Sequence, residues 1–467
     1  MKQLSGIDAS FLYLETPAMH LHVVGLTVLD PATVPGGYRP DLVHDIVESR
    51  LHLLPSFRHR VVMDPAGIDH PRWIEDAEFD LHHHVRRWTL PEGTAEDLAE
   101  FVGDFASEPL PRDRPLWELV VVDGLADGTV ALVSKLHHAI MSGPAGPDAM
   151  ARLFDLSPDG GTTSPDHEWQ PEAMPSAARR TARSAASVLR RLPRIPRAVA
   201  ELGVGAVRAA RVGITQRGSG SPLPFTAPRT PFSGAITPWR AVAFGRCPLD
   251  DLRFVKRAFH VTINDVVLAA TTASLRAYLM EHDALPDKPL VASVPVAVGE
   301  VDETSTNPLS MMFVGLPVHL EDPVQQLVTV HENTRSAKSI QAAMGQQMLR
   351  DWTEIAPPVV MQTSARAYGR LRLASRHPPI HNLVVSNVAG PPVELYCAGA
   401  RVVAIYPLGP VMDGAGLNLT VMSELGVMNL GLVSCRDMVP DPDTIVAGWI
   451  EAVQELHRAA EALSPAG

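Results

Sequence analysis

Apolar residues recur along the chain in two patterned stretches, separated by one that lacks such a pattern. In the first stretch, His20–Leu29 (HLHVVGLTVL) is rich in β-branched residues and ends at Asp30-Pro31, which predicts a strand running into a turn. Pro40–Leu54 places Leu42, Ile46, Val47 and Leu51 at helical spacing, an amphipathic helix. Trp117–Val122 and Thr129–Leu136 are apolar runs joined by Asp-Gly-Leu-Ala-Asp-Gly. Asp-Gly steps favour the positive φ of tight turns, so these runs predict an antiparallel hairpin.

From about Trp239 the pattern resumes. Leu249–Phe259, Asn264–His282, Gln325–Gln347 and Asp443–Leu463 read as helices; Leu290–Ala297, Asn382–Val388, Arg401–Tyr406, Leu417–Ser423 and Val427–Val433 read as strands. Between the halves, Ser157–Pro175 and Gly218–Pro238 are dense in Pro, Gly, Ser and Thr, the composition of connecting loops. Ser176–Arg217 is Ala/Arg-rich and helical in pattern, with breaks near Pro193 and Pro196. The expected organisation is therefore α+β: a domain over 1–156, a linker over 157–237 and a second domain over 238–467, with helices beside mixed sheets. A functional site is expected between the domains, where clefts commonly form.

Charge alters this picture mainly at the linker. The chain of 467 residues carries −12 in total. Ser176–Arg217 holds ten arginines (Arg179, Arg180, Arg183, Arg190, Arg191, Arg194, Arg197, Arg208, Arg211 and Arg217) against Glu201 alone, a local +9 that leaves −21 on the remainder. A basic segment between acidic domains suits an anionic lipid surface, or equally pairing with the acidic domains themselves. The acidic total argues against nucleic acid as a partner. Cys247, Cys397 and Cys435 are far apart and show no metal-ligand spacing, as for buried thiols in a reducing compartment. No apolar run reaches the ~18–20 residues of a membrane span, and no apolar segment follows a basic start at the N-terminus. The expected location is cytoplasmic, with any membrane contact peripheral, at the inner membrane face or on lipid droplets.

The candidate chemistry lies at His137-His138-Ala139-Ile140-Met141-Ser142-Gly143. If Thr129–His138 is extended, His138 shares a face with Val130, Leu132 and Leu136, and His137 points the other way. One histidine then does chemistry while the other serves structure. Gly143 and Gly146 permit a tight bend, and Pro147 suits the first turn of a helix over Asp148–Leu156. A neutral imidazole can take a hydroxyl proton and so create an oxygen nucleophile towards an activated acyl group. His82-His83-His84 has no Asp, Glu or Cys partner at ligand spacing, so no metal is expected. No Gly-x-Ser-x-Gly elbow supports a serine nucleophile.

The loop resembles the HHxxxDG motif of CoA-dependent acyltransferases. Together with Leu4-Ser5-Gly6-Ile7-Asp8-Ala9-Ser10-Phe11-Leu12, Pro115-Leu116-Trp117, Thr262-Ile263-Asn264-Asp265-Val266 and Ser386-Asn387-Val388-Ala389-Gly390-Pro391, it is similar to the bacterial wax ester synthase/diacylglycerol acyltransferase family. The resemblance implies two chloramphenicol-acetyltransferase-like domains. It also implies an O-acyltransferase that uses acyl-CoA as co-substrate, with no bound cofactor, and esterifies diacylglycerol or a long-chain alcohol. His138 would be the general base and Asn264 a donor to the tetrahedral oxyanion. Asp265 reads as the acid of a helix first turn. Pro115, Leu116, Trp117, Ser386, Asn387 and Gly390 would shape the fold and the substrate channel.

The chain departs from the family pattern at two positions. Ser142 stands where the motif has aspartate, and Ala389 where the last motif has its first proline. A serine hydrogen-bonds but cannot pair with a cation, a loss of roughly 1–3 kcal/mol of local order. A second reading is therefore a weakly active or inactive homologue that binds acyl-CoA or lipid. A third, acyl transfer from a carrier protein, lacks a fused carrier domain.

Overall fold

The computed structural model describes residues 1–141, 151–160, 163, 169–191, 225–297, 309–344 and 357–463. Its first half supplies β1 (Lys2–Gln3), α1 (Gly6–Leu14), β2 (His22–Asp30), α2 (Leu42–Arg50), β3 (His59–Val62), β4 (Arg72–Glu75), β5 (Val85–Thr89), α3 (Ala95–Ser107), β6 (Trp117–Asp123), β7 (Val130–His137) and the short α4 (His138–Met141). The helix α5 (Ala177–Arg191) follows. The second half supplies β8 (Arg240–Pro248), α6 (Leu249–Phe259), α7 (Ile263–Glu281), β9 (Leu290–Ala297), β10 (Leu309–Leu316), α8 (Pro323–Met344) and α9 (Pro358–Arg370). It continues with β11 (Leu383–Ala389), β12 (Tyr396–Cys397), β13 (Ala400–Leu408), β14 (Leu417–Glu424), β15 (Val427–Cys435) and α10 (Pro442–Leu463).

Two six-stranded mixed sheets result, as expected of an α+β chain. The order in the first is β12-β13-β2-β7-β6-β5, and in the second β10-β9-β11-β14-β15-β8. Parallel steps occur at β5–β6 in the first, and on both sides of β11 in the second. A three-stranded sheet, β1-β4-β3, lies apart. The two strands β12 and β13 come from the second half yet complete the first sheet: β13 runs antiparallel to β2, with Leu408 opposite Val24. Where β13 crosses β15, a side chain at Gly431 would start 2.2 Å from the Pro407 carbonyl oxygen, so only glycine admits the crossing.

The hairpin β6–β7 forms where its apolar runs and Asp-Gly steps place it. Its strands are buried along nearly their whole length because both faces are covered. Val130, Leu132 and Leu136 meet Leu12 of α1 and Val43, Ile46 and Val47 of α2. Ala131 and Val133 meet Leu98, Val102 and Phe105 of α3, a cluster that also takes in Ala404, Tyr406 and Val433 from the second half. Each such Val, Leu, Ile or Phe side chain contributes roughly 1.5–3 kcal/mol on burial, which makes β7 a rigid base for the loop that leaves it. Behind the second sheet, α7 and α10 pack Val267, Leu268, Leu275, Trp449 and Val453 into a separate core.

Of the helix expected over Asp148–Leu156, residues 148–150 lie outside the described residues. From Arg152 the chain runs in turns, and Asp155 instead pairs its backbone with Tyr396 of β12.

Candidate active site

The β7 strand ends at His137, and both histidine amides are taken by neighbouring chain segments. The N–H of His137 donates to the Leu116 carbonyl (3.0 Å), and that of His138 donates to the Leu21 carbonyl (3.0 Å). Leu21 adopts φ 52°, a left-handed conformation unfavourable for a branched side chain. That turn aims its carbonyl at His138 and ends the ladder, so His138 opens α4 rather than continuing β7.

His137 is buried, and its Nδ1 accepts the Ala139 N–H (3.1 Å). A backbone N–H can only donate, so the ring proton sits on Nε2, which faces the Glu15 carboxylate at 3.5 Å. Glu15 is itself ion-paired with Arg112. Burial first, then the charges of Arg112 and His138, hold the His137 imidazole far below its ordinary pKa. It is a neutral, fixed ring.

His138 has different surroundings. Its ring lies on Phe11, centroids 4.3 Å apart and planes 13° from parallel. Burial lowers its pKa to about 4, so at neutral pH the imidazole is uncharged and able to accept a proton. Phe11 and Glu15 are four residues apart at the end of α1, so one helix face addresses both histidines. Neither residue is legible in the sequence as a partner of the histidines, because each meets a ring far along the chain.

Asn264 and Asp265 form the first turn of α7. Thr262 caps the helix: its hydroxyl accepts the Asp265 N–H (3.2 Å), and Asp265 Oδ2 accepts the Thr262 N–H (2.9 Å). The same oxygen accepts the Thr262 hydroxyl (2.8 Å) and Nδ1–H of His331 on α8 (2.8 Å). Burial opposes ionisation of Asp265, but the His331 and Thr262 bonds outweigh it and hold the carboxyl below its usual range. Asp265 thus plays the expected first-turn part and gains a partner, His331, that lies 66 residues downstream. Asn264 is half-buried beside it; its side chain makes no hydrogen bond among the described residues, His138 included.

The remaining expected residues divide by role. Leu116 and Trp117 are buried in the first core. Trp117 donates from Nε1 to Phe57 (2.8 Å) and lies between the rings of Phe57 and His84. Pro115 accepts the Trp117 N–H (2.9 Å), so this tripeptide shapes the platform that holds His137. In β11, Ser386 is half-buried and Asn387 exposed, beyond the point where β9 stops pairing at Val384. Gly390 donates to Ser423 (3.0 Å), and a side chain there would start 2.5 Å from that carbonyl oxygen. Ser142 and Gly143 lie outside the described residues. The triple histidine diverges: His82 stacks on His44, His83 turns towards Asp80, and His84 is bound to the Trp117 carbonyl (2.7 Å). Among the described residues, no three His, Cys, Asp or Glu side chains gather as a metal site would require.

Two family models match the chain. The wax ester synthase/diacylglycerol acyltransferase catalytic domain covers residues 4–267, and the WS/DGAT C-terminal domain covers residues 305–457. A putative diacylglycerol O-acyltransferase of Mycobacterium tuberculosis (strain ATCC 25618 / H37Rv) is 38% identical over 460 residues, covering 98% of this chain and 90% of the relative. One from Mycobacterium bovis is 32% identical over 464 residues, covering 97% and 98%. Among solved structures, the wax ester synthase/diacylglycerol acyltransferase of Marinobacter aquaeolei VT8 superposes with a TM-score of 0.69 at 26% identity, covering 98% of this chain and all of the other. The first condensation domain of the calcium-dependent antibiotic synthetase shares the fold, with a TM-score of 0.54 at 14% identity over 100% and 98% of the two chains.

Proposed function

Because the chain belongs to the wax ester synthase/diacylglycerol acyltransferase family, and is an acyltransferase, we propose that it esterifies diacylglycerol or a long-chain alcohol from acyl-CoA, with His138 as general base. The observation that carries this reading is the uncharged His138 ring stacked on Phe11, on a backbone whose N–H is held by the Leu21 carbonyl. The imidazole takes the acceptor hydroxyl proton as that oxygen attacks the thioester carbonyl. The side-chain N–H of Asn264 donates to the oxyanion of the tetrahedral adduct. Collapse breaks the C–S bond, and the departing CoA thiolate takes the proton from His138. No acyl-enzyme forms. An imidazolium at this site is disfavoured by about 1.4 kcal/mol for each unit by which its pKa lies below the surrounding pH, so the proton is held only briefly.

Among the described residues, no single helix is long and apolar enough to cross a membrane. The protein works from the cytoplasm, reaching a lipid acceptor peripherally at the membrane or a droplet surface through its arginine-rich segment, of which residues 192–217 lie outside the described residues. Purified protein given palmitoyl-CoA should release CoA only when diacylglycerol or fatty alcohol is added, in step with ester formation. Release independent of acceptor would contradict the reading. Ser142 favours a second reading, a weakly active lipid-binding homologue. A large gain in turnover on Ser142→Asp would support it, and an unchanged rate would remove it.

A further inference from the structure

The loop between β3 and β4 turns its acids inward and its apolar side chains out. Oδ2 of Asp64 accepts the N–H groups of Ile68 (2.9 Å) and Asp69 (3.3 Å). Asp69 is buried, paired with Arg72 (3.0 Å) and bonded by the Ser187 hydroxyl (3.2 Å). What remains exposed at the tip is Met63, Pro65, Ala66 and Ile68, with Met63 44% and Ile68 43% accessible.

Two helices flank this tip, and neither contains an acid. On one side α5, held through Ser187, exposes Arg179, Arg183 and Leu189. On the other is α9, whose Val359 lies 3.9 Å from where a side chain at Gly67 would start. It exposes Val359, Val360, Arg366 and Arg370 and packs on α1, which carries Phe11 against His138.

We propose that this face, with its apolar tip between two arginine-bearing helices, seats the enzyme on an anionic phospholipid bilayer. Charge complementarity argues for that occupant. A chain of net charge −12 is repelled by an anionic membrane over most of its surface, and accepts it on helices that carry arginines and no acid; the acid near Arg183, Glu172, is ion-paired with the N-terminal ammonium. Met63 and Ile68 then enter the acyl boundary, while the arginines meet headgroup phosphates. The proposal deepens the acyltransferase reading and rests on it for a lipid acceptor that is drawn from the same bilayer.

Sedimentation of the full chain with phosphatidylcholine vesicles, with and without phosphatidylglycerol, tests it. Binding should require phosphatidylglycerol and weaken with salt. The double variant Met63→Ser/Ile68→Ser should bind at least about tenfold less. Arg179→Gln/Arg183→Gln should bind about tenfold less and lose part of the salt dependence. Both should keep the wild-type rate on acceptor dispersed in detergent. Unchanged partitioning of both variants, equal binding to pure phosphatidylcholine, or loss of the detergent rate along with binding would overturn the proposal. If no acceptor is turned over but the vesicle pattern holds, the acyltransferase reading fails and the surface stands.

Discussion

Phe11 lies face to face on His138, 4.3 Å between ring centroids, and so limits both the tilt of the imidazole and its contact with water. Such stacking contributes about 0.5–1.5 kcal/mol beyond area burial. Phe11→Ala should therefore lower kcat by about tenfold with little change in KM. It should also move the acid limb of kcat/KM upward, towards the ordinary histidine pKa, as water reaches the ring. A pH–rate profile of the variant reads both effects; an unshifted profile would show that Phe11 does not control the base.

Wild-type activity should persist well below the pH at which an exposed histidine protonates. The His138 pKa is lowered to about 4, so loss of base through this group is expected near that pH and not near 6.5. Rates from pH 7.5 down to 4.5, corrected for unfolding, check this.

Stability should fall over the same interval. Burial lowers His20 and His381 to about 4 and holds His22 and His137 well below their ordinary value. A histidine depressed in the folded state favours folding fully above its unfolded pKa of ~6.5, and that contribution is lost as pH falls towards the folded value. His20 and His381 each account for roughly 3 kcal/mol by this linkage. Urea midpoints should thus drop between pH 7.5 and 5; a flat midpoint would contradict the burial of these rings.

Much of this frame was legible in the sequence because its signals are local. The hairpin came from two Asp-Gly steps, Leu249–Phe259 from helical spacing, and the role of Asp265 from its place in the first turn of an expected helix. The apolar run in Arg401–Tyr406 revealed a strand but not that it would leave its own half, because pairing with β2 depends on a distant partner. The two histidines do take different partners, yet the cause is not strand alternation. The ladder stops at His137 because Leu21 turns to meet the next amide. Arg112, Glu15 and His331 went unread for the same reason: each acts on a residue far along the chain.

Glu15, Arg112 and His137 should behave as one unit. Glu15→Gln removes the charge facing His137 Nε2 and the partner of Arg112, and Arg112→Ala removes the other half of the pair. Each should lower kcat by about tenfold, and the double variant should be no worse than either alone. Additive losses would show that the residues act separately.

His331→Ala should destabilise by about 1–3 kcal/mol, since it leaves the buried Asp265 carboxylate with Thr262 as its remaining side-chain partner. If Asn264 works from the turn that this pair holds, kcat should fall while KM for acyl-CoA stays near wild type. Calorimetry and steady-state kinetics on one preparation separate the two effects.

The proposed role of His138 is to take the acceptor proton. Acceptor-dependent CoA release from palmitoyl-CoA, measured with wild type and with His138→Ala of unchanged circular dichroism, tests it most directly. The expected loss is at least about 100-fold, the usual scale for removal of a general base. Release and ester formation within about tenfold of wild type would assign the base to another group.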